Sequence, residues 1–173
     1  KEEHCGRQVH LLCHSMGNFL LESAMRRLAE MTGGRFPRVF GEVILAAADV
    51  DDDAFEHDHL FRRLPEIARR VSVYFNRADM ALRVSDSTKG NPDRLGSRGP
   101  KHPLDVPGGV VLGDCSEVAT GLVGHSYYLD SPVRQDIVRV LSGDVEDQIV
   151  GRRYVASANS YRRMSARRTW SWD

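Results

Sequence analysis

The stretch Val9-His10-Leu11-Leu12-Cys13-His14-Ser15-Met16-Gly17-Asn18-Phe19-Leu20-Leu21 limits the possible folds more than any other. Residues 9–13 form a short apolar run that reads as a buried strand. The run stops at His14-Ser15-Met16-Gly17, and a helical pattern starts at once. So sharp a passage from strand to helix needs small residues two before and two after the serine, because the backbone crosses itself closely there. Gly17 meets that need; Cys13 is small but departs from the G-x-S-x-G pattern. A strand, a strained turn with serine at its apex and a helix have the form of a nucleophile elbow. The helix N-terminus behind Ser15 would point free N–H groups at any oxyanion formed there. Five residues with one departure fit an ordinary strand–turn–helix junction equally well, so the rest of the chain has to decide.

The chain has 173 residues, enough for one domain with a real core, and no apolar run approaches the length needed to span a bilayer. Its formal net charge is +0, so no global field recruits nucleic acid or a membrane surface. Cys5, Cys13 and Cys115 make an odd set without framework spacing, which points to a reducing, cytoplasmic setting. The chain opens at Lys1, without methionine or signal peptide, and reads as a fragment or a processed piece.

Residues 17–31 place Phe19, Leu20, Ala24, Leu28 and Met31 at helical spacing, which predicts a core-facing stripe; Gly33-Gly34 supplies the stop. Val39 to Ala48 reads as a parallel strand buried on both faces. Asp49-Val50-Asp51-Asp52-Asp53 follows, and before Ala54-Phe55 it suits a helix N-terminus. A Ca²⁺ loop fits worse, since Ala54 stands where the EF-hand needs Gly and Leu60 where it needs Glu. His57 and His59 would point to different faces of a helix and read as surface residues rather than a metal pair. A short helix restarts at Leu64-Pro65, Val71–Phe75 is a third strand, and Met80 to Ser87 looks helical. Residues 88–109 are rich in Gly and Pro and form a long loop; Val110–Leu112 is the fourth strand. The last helix is capped by Asp130 or Ser131, opened by Pro132 and ended by Gly143. Residues 1–150 thus make one domain. Residues 151–173, with Arg152-Arg153, Arg162-Arg163 and Arg167-Arg168 among Tyr154, Tyr161, Trp170 and Trp172, read as a mobile or loosely docked tail, which outweighs the other reading of such a pattern, a site for nucleic acid or an anionic surface.

Strands alternating with helices predict an α/β fold with a parallel sheet, whose active residues lie at the C-terminal ends of the strands. Ser15 follows the first strand, Asp79 the third and His125 the fourth. A serine hydroxyl is a weak nucleophile until a neutral imidazole takes its proton, and the imidazole needs a carboxylate to fix its tautomer. Asp49 also ends a strand and is the alternative acid, but its neighbours Asp51, Asp52 and Asp53 favour solvent exposure. His14 stands on the wrong side of the turn, and His102 sits in mid-loop.

Four segments, Leu12–Asn18, Ile44–Asp51, Tyr74–Leu82 and Gly124–Tyr127, together resemble one branch of the α/β-hydrolase superfamily, a largely bacterial, esterase- or lipase-like branch of unknown substrate. The order Ser, Asp, His is the order of that superfamily. The resemblance runs from about residue 9 to about residue 142. It implies Ser15 as nucleophile, Asp79 as acid, His125 as base and the Met16 N–H as one oxyanion donor, with a small ester as substrate and no cofactor or metal. It also implies that this chain is the C-terminal half of the fold. An N-terminal half or an oligomeric partner is then expected to complete the sheet and supply the second oxyanion donor. The other reading is a hydrolase-like module with a non-catalytic binding or structural role.

Overall fold

The computed structural model describes residues 8–57, 59–82, 84, 93–119 and 124–165. Cys5, the end of the helix expected at Met80–Ser87, the start of the loop at 88–92, and Arg167, Arg168, Trp170 and Trp172 lie outside the described residues.

The elements run β1 (Leu11–His14), α1 (Gly17–Thr32), β2 (Phe40–Ala46), α2 (Leu64–Ile67), β3 (Ala68–Phe75), α3 (Leu95–Arg98), β4 (Val110–Asp114), α4 (Ser131–Leu141), β5 (Arg152–Val155) and β6 (Ser160–Arg163). They build one six-stranded sheet in the order β1-β2-β3-β4-β6-β5. Every neighbouring pair is parallel except β5 and β6. The chain therefore has the expected α/β architecture, a mostly parallel sheet with flanking helices.

The central strands β2 and β3 are buried on both faces, their side chains alternating between the two. Val43 and Leu45 of β2 and Val71, Val73 and Phe75 of β3 join Leu21 and Met25 of α1 on one side. Ile44 and Tyr74 point the other way and meet Val133, Ile137 and Val140 of α4. No helix among the described residues is long and apolar enough to cross a membrane. Cys13 and Cys115 are free and buried.

Three expectations need correction. First, α1 is rotated from the predicted stripe. It buries Asn18, Leu21 and Met25, whereas Phe19, Leu20 and Met31 are 60%, 70% and 71% exposed. The polar Asn18 sets this phase: its Nδ2 donates to Cys13 O (3.3 Å) and Ser15 O (3.0 Å). Second, Asp49–Asp53 caps no helix, for residues 52–57 form turns and a bend. Instead Asp49 and Asp51 both meet the guanidinium of Arg94, which is 4% exposed. Third, the sheet does not stop at residue 150. Residues 152–163 form a hairpin whose β6 pairs with β4, so the first part of the supposed tail belongs to the sheet.

Candidate active site

The strands end in one line. His14 pairs with Ala46, Ala46 with Tyr74 and Tyr74 with Gly113. Whatever follows these residues is delivered to one rim of the sheet.

At the end of β1 the chain reverses through Ser15, whose φ is 54°. The left-handed region costs a residue with a Cβ of the order of 1–2 kcal/mol, so the surroundings must impose it. They do so from both sides. The Ser15 N–H donates to Ala46 O at 3.0 Å, and Ser15 O accepts from the N–H groups of Asn18 (3.1 Å) and Asp49 (3.3 Å). A Cβ at Gly17 would stand 4.0 Å from the Cβ of Cys13, so the two small positions face each other across the turn. α1 begins immediately behind, and the Met16 N–H has no acceptor among the described residues.

At the end of β3, Asn76 starts a tight turn. Its Oδ1 accepts the Ala78 N–H (3.0 Å) and its Nδ2 donates to Gly124 O (2.8 Å). The turn places Asp79 fully out of solvent. One carboxylate oxygen takes the Leu82 N–H at 3.1 Å; the other takes Nδ1 of His125 at 2.8 Å. A carboxylate accepts here, so Nδ1 carries the hydrogen and Nε2 is the nitrogen turned away from Asp79. The His125 side chain keeps 20% exposure, so the ring is not sealed in the core.

Asp49, the alternative acid, is buried rather than exposed, at 7%. Arg94 Nε lies 3.5 Å from its carboxylate, and this cation offsets the like charges that argued for exposure. The carboxylate on His125 is that of Asp79.

His14 is at the site as well, contrary to its apparent place on the wrong side of the turn. Its Nε2 lies 3.1 Å from His125 O, and its ring centroid is 4.7 Å from that of His125 and 4.6 Å from that of Tyr128. Burial pushes the His14 pKa below its ordinary value. Asn76, Asn18 and His14 are the site residues that sequence reasoning missed. An Asn directly after a strand is a signal for the first.

No hydrogen bond joins Ser15 Oγ to His125 among the described residues, a looseness common where no substrate is bound. Beside the turn lies a cavity of about 500 Å³ lined by Met16, Phe19, Val50, Leu60 and Phe61, with Asp49 and Arg94 on its polar side. Ser15, Asp79 and His125 do not line it. No group of three His, Cys, Asp or Glu among the described residues could hold a metal ion; His57 and His59 are exposed.

A strand-to-helix turn with a strained serine and a His–carboxylate pair, all on the rim of a parallel sheet, define a class, the α/β-hydrolase-like proteins. Within it the chain belongs to the family described as alpha/beta hydrolase of unknown function (DUF900), whose model matches residues 1–144. No match was found among curated proteins or solved structures.

Proposed function

We propose that the chain is the nucleophile-bearing part of a serine hydrolase that acts on a small ester through an acyl-enzyme. One observation carries the reading: Ser15 is held at φ 54° on the same sheet rim as the buried Asp79–His125 pair at 2.8 Å. In this reading His125 Nε2 takes the Ser15 Oγ proton as Oγ attacks the ester carbonyl. The Met16 N–H and the first turn of α1 face the oxyanion of the tetrahedral intermediate. The carbonyl re-forms, the alcohol leaves with the proton from His125, and water, activated by the same imidazole, releases the acid. Asp79 keeps Nδ1 protonated throughout. The cavity against Met16 and Phe19 is of a size to take a small acyl or alcohol group.

The second reading, a hydrolase-like module with a binding or structural role, is favoured by the face around β1. The strand's outer edge pairs with nothing among the described residues, and Leu12 on it is 41% exposed, as are Phe19 and Leu20 of the following helix at 60% and 70%. Such an edge invites further polypeptide, the other half of the fold or a second subunit. In the catalytic reading that polypeptide brings the second oxyanion donor.

Labelling separates the two readings. A fluorophosphonate probe should modify the wild-type chain at Ser15, and Ser15→Ala should abolish labelling while changing stability by no more than about 1 kcal/mol. Labelling that persists in Ser15→Ala would remove the nucleophile assignment.

A further inference from the structure

Resting on the hydrolase reading, we propose that His14 is a positioning residue: it holds the backbone and one ring face of His125, so that the imidazole keeps a single pose at the sheet rim.

His125 lies outside any helix or strand. Its backbone has no ladder to lock it, so individual anchors decide where it stands. On its N-terminal side Asn76 Nδ2 donates to Gly124 O at 2.8 Å, and at His125 itself His14 Nε2 reaches the carbonyl at 3.1 Å. A carbonyl only accepts, so the His14 hydrogen sits on Nε2 and the bond is a donation from His14. His14 is itself pinned, being the last residue of β1 in register with Ala46. The bond therefore ties the loop to the sheet through the residue next to Ser15.

The rings add a second constraint. His14 packs against His125 with the planes at 50°, and against Tyr128 at 39°, so it is wedged between two side chains of the same loop. Asp79 fixes the opposite edge of the His125 ring through Nδ1. Held by Asp79 at one nitrogen and by His14 at the face and carbonyl, the ring has few ways to swing. Burial keeps His14 neutral to lower pH than an ordinary histidine, so it does not oppose the imidazolium that proton abstraction would create on His125.

The gain from such positioning is large, since a misplacement of about 1 Å can cost on the order of 100-fold in rate. The test is the rate of fluorophosphonate labelling of Ser15 over a range of probe concentrations in the full chain. His14→Phe keeps a ring but loses the donor. It should lower the maximal labelling rate about 10–100-fold, with the half-saturating probe concentration unchanged and the melting temperature retained. His14→Gln restores an N–H donor of similar reach without the ring and should recover part of the rate, above that of His14→Phe. Should His14→Phe fail to fold, His14→Asn, too short to reach the carbonyl, carries the same expectation. His14→Phe labelling as fast as wild type, or His14→Gln labelling as slowly as His14→Phe, overturns the proposal and leaves the hydrolase reading intact. A wild-type chain that is not labelled at Ser15 removes the hydrolase reading, and the proposal with it.

Discussion

Asp79 and Asp49 both follow strands that end on the same rim, yet their surroundings set them different tasks. Asp79 gives one oxygen to the Leu82 N–H and the other to His125, out of solvent. Asp49 faces Arg94 beside the cavity. Asp79→Asn offers His125 Nδ1 an amide that can reverse the tautomer, and should lower kcat for a p-nitrophenyl ester by about 10³–10⁴ with KM little changed. Asp49→Asn should cost about tenfold or less, because it leaves the imidazole's partner in place. Steady-state kinetics of the two variants check this, and a crippled Asp49→Asn beside a normal Asp79→Asn would exchange their roles. That Ser15, Asp79 and His125 come to one rim was legible because each follows a strand that its own apolar run announces. His14, Asn76 and Arg94 were not. Their partners stand 111, 48 and 43 residues away, and no local pattern carries information over that distance.

Among elements, the short α3 segment is held in place by a close approach of backbone to backbone. Gly96 donates to Ala48 O and accepts from the Asn76 N–H, both at 3.0 Å, so it wedges between the ends of β2 and β3. A Cβ there would lie 2.2 Å from Ala48 N and 2.3 Å from the carbonyl carbon of Ala47. These are backbone atoms and cannot swing aside. Gly96→Ala should therefore destabilise by about 3 kcal/mol or more, read as a lower urea midpoint; a variant as stable as wild type would show that α3 lifts freely. The strands were legible at this scale because β2 holds an apolar run from Val43 to Ala46 and β3 is rich in β-branched and aromatic residues. The rotation of α1 was not. A periodic pattern shows that a stripe exists, but here the hydrogen bonds of Asn18 to the turn chose which side faces the sheet.

The whole molecule closes with a charge cluster that the paired arginines concealed. Asp136 of α4, 1% exposed, accepts from the Tyr74 hydroxyl at 2.6 Å and from Arg152 Nε at 2.9 Å, with Arg163 3.7 Å away. Arginines interleaved with tyrosines looked like a solvated tail because composition cannot show that one guanidinium has a buried carboxylate waiting for it. Arg152→Met should strand that carboxylate and destabilise the domain by about 3–5 kcal/mol in urea titration. A loss under about 1 kcal/mol would show that Arg163 and Tyr74 suffice. The arrangement also gives assembly an order. During synthesis the chain through α4 emerges first, and the cation that neutralises Asp136 comes 16 residues after it. Until then α4 can settle on the sheet only without the cation that its buried aspartate meets in the finished fold. Strands made after α4 thus license its burial, and a chain cut between α4 and Arg152 carries a fault in its interior.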